Sequence, residues 1–196
     1  MAKASGFNWL RTELTSIARA VEQTKGFKLD AFELGGPGDE LPDEGFEVPV
    51  PDSLRRLVAT MDGCDLRWST KRGRGRISVF ALPEILAAGD QGTFELGTSL
   101  AVVPTRGEAT PLLTLGEDGE ELGVMVFDPD GYLVRESCSL EEMLHAYVDH
   151  LGIEGWALAL RSEPNSEAHA CAAAAVRFRT QLGLPIPASI APRKGG

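Results

Sequence analysis

Apolar residues recur at helical spacing in several stretches of the chain, and each stretch predicts an amphipathic helix. The four main stretches are residues 8–25, 51–61, 139–151 and 167–182. The third is the clearest, because Ser139 followed by Glu142 matches a capping box ahead of a full apolar stripe. The fourth is rich in alanine, and its narrow apolar face consists of Cys171, Ala175, Phe178 and Leu182.

Between the second and third helices the apolar period becomes that of strands. The strand candidates there are residues 66–68, 76–82, 100–103, 112–115, 123–127 and 132–136, with a short helix predicted at 83–88. One further short strand is predicted at residues 27–29, after the first helix. Acidic, glycine-containing turns at residues 117–120 and 128–131 separate the last three strands. Such turns are typical of hairpins, so these strands are predicted to form an antiparallel meander.

This order of elements predicts an α+β fold, with a single antiparallel-rich sheet and helices packed on one face of it. Residues 1–152 are expected to form the α+β domain. Residues 153–196 are expected to form a helical extension packed on that domain, ending in a frayed C-terminal tail.

The chain is acidic: 29 Asp and Glu against 19 Lys and Arg give a net charge of −10. Such a field repels nucleic acid and anionic membranes and favours basic partners. No apolar run approaches the ~20 residues that span a bilayer. The N-terminus lacks a signal-peptide pattern, and the three cysteines form no C-x-x-C pair, so we expect a cytoplasmic protein with buried thiols.

The sequence offers little for metal or acid–base chemistry. His145 and His150 are five residues apart on one helix and therefore diverge, which favours surface or partner-contact roles over metal ligation. Glu142 and His145 match half of a di-iron motif without a second copy. The acidic turn at residues 128–131 lacks the spacing of a calcium loop, so a hairpin is favoured.

The basic stretch at residues 71–76 has no interleaved aromatic residues and lacks the Gly-Lys-Ser/Thr ending of a phosphate-binding loop. We interpret it as a solvated hairpin, with contact to phosphate or an acidic partner as the alternative. No serine or cysteine stands in a nucleophile elbow. We therefore expect a protein that is not an enzyme and has no metal and no cofactor.

Several short motifs together resemble those of the SUKH superfamily of Smi/Knr-type immunity and regulatory proteins. They are a proline-led helix with a D-G turn and a strand at residues 50–68, a strand with a short helix at 77–85, and a closing hairpin and capped helix at 126–144. The resemblance covers residues 8–152 and leaves the last 44 without a counterpart.

This resemblance implies a bacterial immunity protein that neutralises a cognate toxin, for example a nuclease, by direct binding. An acidic inhibitor suits a basic toxin domain because opposite fields speed association. The candidate partner-binding residues are Asp39, Glu40, Asp43, Glu44, Glu117, Asp118, Glu120 and Glu121.

Two alternatives stay open at this point. One is a non-catalytic regulatory, scaffold or structural module that assembles with itself or other proteins through the alanine-rich helix. The other is an enzyme, which would be signalled by a deep polar pocket that brings His145 or Cys64 together with several acids.

Overall fold

The structure is a computed structural model. It describes residues 6–38, 50–88, 98–104, 109–116, 119–127, 133–161 and 165–191, with the side chains of residues 86–88 and 134–137 outside this description. The α-helices are α1 (Asn8–Gln23), α2 (Asp52–Thr60), α3 (Leu82–Ala88), α4 (Leu140–Asp149) and α5 (Ser166–Leu182), and a 3₁₀ helix spans Trp156–Leu160. The strands are β1 (Phe27–Leu34), β2 (Cys64–Thr70), β3 (Gly73–Val79), β4 (Thr98–Leu100), β5 (Thr110–Leu115), β6 (Glu121–Phe127) and β7 (Leu133–Cys138).

The predicted α+β class is confirmed, but the prediction of a single sheet is wrong. The strands form two antiparallel sheets, β1-β2-β3 and β4-β5-β6-β7. Helix α3 follows β3 directly, and the next strand, β4, pairs with β5 instead of β3. Among the described residues, one backbone hydrogen bond joins the segments that follow β3 and β4, from the Phe80 N–H to the Val102 carbonyl at 2.9 Å. A single bond of this kind does not continue a ladder, so β3 ends the first sheet.

The predicted meander is confirmed in the second sheet. Strands β5, β6 and β7 pair in sequence order, with Leu113 opposite Val124 and Val126 opposite Arg135. The inward-facing Val124 and Val126 are fully buried. Val124 and Val126 are two residues apart, so they lie on the same face of β6.

Helix α4 has the predicted capping box. The Glu142 N–H donates to the Ser139 hydroxyl, and the Ser139 N–H donates to the Glu142 carboxylate. At the other end, Leu151 and Gly152 take the left-handed conformation, with φ of 56° and 62°. A Cβ on Gly152 would lie 1.9 Å from the Arg76 carbonyl oxygen, so glycine is required for α4 to end against β3.

Helix α5 buries the predicted apolar face together with Ala168. The Phe178 ring packs edge-on against Trp68 and Phe27, with centroids 5.1 and 6.1 Å apart. Farther along the chain, Ile190 is also buried, so this part of the C-terminal tail is packed. The division of the chain at residue 152 stays a prediction, although α5 completes the core that β1 and β2 begin.

Candidate functional site

A cleft of about 840 Å³ lies beside the free edge of β3. Its walls come from β1, from the β2–β3 hairpin, from the turn after α4 and from the start of the 3₁₀ helix. The side chains that define its chemistry are those of Arg67, Arg74, Arg76, Tyr147, Ile153 and Trp156. The volume lies within the range of small-molecule sites, about 300–1,000 Å³.

The alternation of glycine and arginine in β3 builds one wall of the cleft. A Cβ on Gly75 would lie 2.3 Å from the Leu151 carbonyl oxygen and 2.5 Å from the Trp68 Nε1. A Cβ on Gly73 would lie 2.7 Å from the Phe178 ring. Successive side chains of a strand point to opposite faces, so glycine on the packed face places the arginines on the open face.

The end of α4 closes the free edge of β3. The Arg76 N–H donates to the Gly152 carbonyl at 2.9 Å, and the Ser78 N–H donates to the Tyr147 hydroxyl oxygen at 3.1 Å. The Trp68 indole N–H donates to the Leu151 carbonyl at 3.0 Å. These bonds fix the position of the hairpin relative to the turn after α4, and both line the cleft.

Two of the arginines share one carboxylate. Arg67 and Arg76 are directly opposite each other on β2 and β3, a placement in which like charges repel. The Asp65 carboxylate lies 2.7 Å from Arg67 Nη2 and 3.1 Å from Arg76 Nε, which relieves the repulsion and positions both guanidinium groups. Both stay about half exposed, at 52% and 42% of the side chain.

Arg74 differs from Arg67 and Arg76 in its ion pairing. Its side chain is exposed at the cleft, and it makes no ion pair with any residue that the structure describes. A guanidinium group presents five N–H donors in a planar fork that matches carboxylate and phosphate oxygens. Arg74 is therefore the cationic group of this wall that is available to a ligand.

The aromatic wall of the cleft consists of Tyr147 and Trp156. The rings of Tyr147 and Trp156 are stacked, with centroids 4.2 Å apart and planes 24° from parallel. Burial raises the pKa of Tyr147 above its ordinary value, so the phenol stays neutral. The two residues are almost entirely buried, so they contribute small apolar edges to the lining of the cleft.

Two carboxylates also line the cleft. Asp30 lies 2.7 Å from Lys28 Nζ, and its hydrogen bonds from Lys28 and Ser69 lower the pKa of that carboxyl. Glu154 is exposed. Because Lys28 already neutralises Asp30, the cleft has more available positive than negative charge, in a chain that is acidic overall.

The predicted partner-binding residues are placed only in part. Glu120 is exposed in the β5–β6 turn, where its carbonyl accepts the Gly116 N–H at 2.7 Å, and Glu121 is the half-buried first residue of β6. Neither lines the cleft. Six residues lie outside the described ranges: Asp39, Glu40, Asp43, Glu44, Glu117 and Asp118.

The expectation of a surface or partner-contact role is wrong for His150. This residue is 3% exposed, and its Nδ1 lies 2.7 Å from the Ala146 carbonyl oxygen, which makes Nδ1 the protonated nitrogen. Desolvation lowers its pKa. His145 remains half exposed and stacks on Trp9 at 3.7 Å. Within the described parts of the chain, no group of three or more His, Cys, Asp or Glu is placed to hold a metal ion.

The prediction of buried thiols is confirmed for Cys64, Cys138 and Cys171, none of which forms a disulfide. Burial raises the pKa of Cys64 to about 12 and that of Cys171 to about 11. The thiolate is the reactive form of cysteine, so these two groups are unreactive near neutral pH.

The cleft was not predicted from the sequence, although the basic stretch contains a pattern that indicates one of its walls. The basic stretch is a hairpin as predicted, and its tip residues Lys71 and Arg72 are exposed. The period-2 alternation of glycine and arginine at residues 72–76 indicates a strand with one packed face and one cationic face. The sequence does not show which residues cover the packed face, because Leu151 and Phe178 are distant from this strand along the chain.

Comparison with protein-family models, with curated proteins and with solved structures finds no match to this chain. In the part of the chain that the structure describes, no helix is both long and apolar enough to cross a membrane.

Proposed function

We propose that this chain is a non-catalytic binding protein that neutralises a basic partner protein, in the manner of a bacterial immunity protein. The observation that carries the proposal is the uneven distribution of charge between the framework and the segments that connect it. The resemblance of residues 8–152 to the SUKH superfamily supports the same function, and the proposal places the protein in the cytoplasm.

The helices, strands and adjoining turns that the structure describes are almost neutral. They hold 16 Asp and Glu against 15 Lys and Arg, in 152 residues. The remaining 44 residues hold 13 Asp and Glu against 4 Lys and Arg. The negative charge of the protein is therefore concentrated in the segments between its elements.

Six of the eight predicted partner-binding residues lie in these segments. Residues 39–49 contain five acids, and residues 117–118 are two acids that precede Glu120 and Glu121 of the described part. Concentrated negative charge steers and orients a basic protein surface, and it competes for the site at which a nuclease would bind phosphate.

The alternative of assembly through α5 has no observation in its favour. The apolar side chains of this helix pack against the chain itself, at Trp68 and Phe27 among others. The opposite face of α5 is exposed and contains Ala170 and Ala173 beside Glu167 and Arg177. We therefore propose the partner-neutralising function alone.

The test is a growth assay with the polypeptide encoded by the reading frame adjacent to this gene. Expression of that polypeptide alone should arrest growth, and co-expression of this chain should restore it. A variant with Asp39, Glu40, Asp43 and Glu44 changed to Asn or Gln should fail to restore growth.

A matched control changes four other acids of the framework by the same chemistry: Glu22, Glu33, Asp52 and Glu167. All four are exposed, so the control removes the same charge without touching the acid-rich segments. It should protect as well as the unmodified chain. If the adjacent polypeptide is harmless, or if the two variants protect equally, the proposal is wrong.

A further inference from the structure

Beyond the proposed partner binding, we infer that the cleft beside β3 binds a small organic anion, in which a carboxylate or a phosphate is joined to an apolar, planar body. Of the eight predicted partner-binding residues, the structure describes Glu120 and Glu121, and neither lines the cleft.

The anionic end of the ligand binds at the arginine wall, which consists of Arg67, Arg74 and Arg76. Arg74 has an unengaged guanidinium fork among the described residues, and Arg76 is two residues away on the same face of β3. Arg67 stands across from Arg76, and Asp65 holds both in place while leaving other N–H groups of each fork unused. Guanidinium groups fixed in advance bind an anion at a smaller entropic cost than flexible ones.

The body of the ligand belongs at the aromatic wall. Tyr147 and Trp156 are almost entirely buried, yet atoms of both reach the cleft, where Ile153 lies beside them. Their positions are fixed, because the Tyr147 hydroxyl accepts the Ser78 N–H and the two rings are stacked. Ile153 and the accessible atoms of the two rings give the cleft an apolar part beside its arginines, and this combination selects an amphipathic anion over an inorganic one.

Exposed Glu154 favours a ligand with a single anionic end. Glu154 follows Ile153 in the chain, and both residues line the cleft, so the negative charge lies beside the apolar part of the lining. A second anionic group at that end of a ligand would face a like charge. Polyanions such as an acidic peptide are therefore disfavoured relative to a compact monoanion or phosphate monoester.

The test is nuclear magnetic resonance titration of the full chain with matched small probes. Phenyl phosphate and phenylacetate share a planar body and distinguish phosphate from carboxylate. Inorganic phosphate and acetate lack the body, and phenylacetamide lacks the charge. The indole N–H signals of Trp68 and Trp156, which line the cleft, should shift, whereas that of Trp9 should not.

The two complete probes, phenyl phosphate and phenylacetate, have both the anionic group and the planar body. At least one of them should bind with a Kd near or below about 1 mM. Changing Arg74 to Gln should weaken that binding by about tenfold or more, as the loss of a charge-assisted hydrogen bond does. The matched control is Arg72→Gln, which removes the same charge from the exposed tip of the same hairpin. It should change the Kd by less than about twofold.

The inference is overturned if neither complete probe binds, or if Arg72→Gln weakens binding as much as Arg74→Gln. It is also overturned if phenylacetamide binds as well as the anions, or if poly-glutamate shifts the same indole signals at a lower concentration than either small probe. These outcomes are independent of the growth assay, because that assay involves other residues and another partner.

Discussion

Arg179 is fully buried where α5 meets the end of α4. Its guanidinium group donates to three backbone carbonyls: Val148 at 3.0 Å, Asp149 at 2.9 Å and Pro185 at 3.0 Å. Two of these carbonyls belong to the last turn of α4, where the helix dipole favours a cation. One side chain of the C-terminal extension therefore holds in place both α4 and the chain that follows α5.

Changing Arg179 to Met keeps the side-chain volume roughly constant but removes the donor of three hydrogen bonds to backbone carbonyls. We expect the free energy of unfolding to fall by about 3 kcal/mol or more, because hydrogen bonds from a charged donor contribute more to stability than neutral ones. Urea denaturation measures this directly.

The control for that experiment is Arg177→Met. Arg177 is exposed on the same helix, 5.0 Å above the Phe178 ring, and its loss should cost no more than about 1 kcal/mol. Equal stability of the two variants would show that Arg179 does not join the extension to α4.

His150 is a buried base whose neutral form is favoured by the fold. Because its folded-state pKa lies below the unfolded value of 6.5, protonation favours the unfolded chain. Its contribution to stability is therefore complete above pH 6.5 and is lost as the pH falls below it. Between pH 7.5 and 5.5, the protein should therefore lose stability through this group.

Urea denaturation at both pH values isolates the effect when it is repeated on two variants. His150→Gln should show a smaller loss of stability on acidification than the unmodified protein. His169→Gln changes an exposed histidine of α5 and should behave like the unmodified protein. The same loss in all three would mean that His150 titrates normally.

At the scale of elements, the β2–β3 hairpin depends on close approach to its neighbours. A Cβ at Gly75 would collide with the Leu151 carbonyl oxygen and the Trp68 indole. Gly75→Ala should therefore lower the free energy of unfolding by about 2 kcal/mol, and it should separate β3 from the turn after α4.

Calorimetric melting measures this loss, and Gly36→Ala is the comparison. Gly36 has open space around the position of a Cβ and no positive φ, so its change should shift stability by less than about 0.5 kcal/mol. A Gly75→Ala protein as stable as Gly36→Ala would contradict the packing of the hairpin described above.

Elements whose signals are local could be predicted from the sequence. The capping box at Ser139 and the apolar stripe behind it identified α4, and the spacing of Cys171, Ala175 and Phe178 identified the packed face of α5. In each case the signal lies within one or two helical turns, because a cap or a buried face is set by nearby residues.

Features that depend on distant contacts could not be predicted. The sequence does not indicate that β4 pairs with β5 instead of β3, so one sheet was expected where there are two. The cleft likewise depends on Gly152 and Tyr147 meeting β3, about 70 residues apart along the chain. His150 was expected on the surface because spacing alone does not show which neighbours cover a side chain.

At the scale of the whole molecule, the framework and its charge have separate roles. The described elements are nearly neutral, and the cationic residues of the hairpin lie on them, whereas the excess of acids lies in the segments between the described ranges. Within our proposals, the framework holds the cleft and the acid-rich segments attract a basic partner. The two functions are expected to respond to different substitutions.

The most direct test of the proposed function is the rate at which the purified chain associates with the purified product of the adjacent reading frame, at low and at physiological salt. Steered association should slow by about tenfold or more over this range. The variant that neutralises Asp39, Glu40, Asp43 and Glu44 should lose most of this salt dependence, and the variant at Glu22, Glu33, Asp52 and Glu167 should keep most of it. Equal salt dependence of the two variants, or no association at all, would contradict the account.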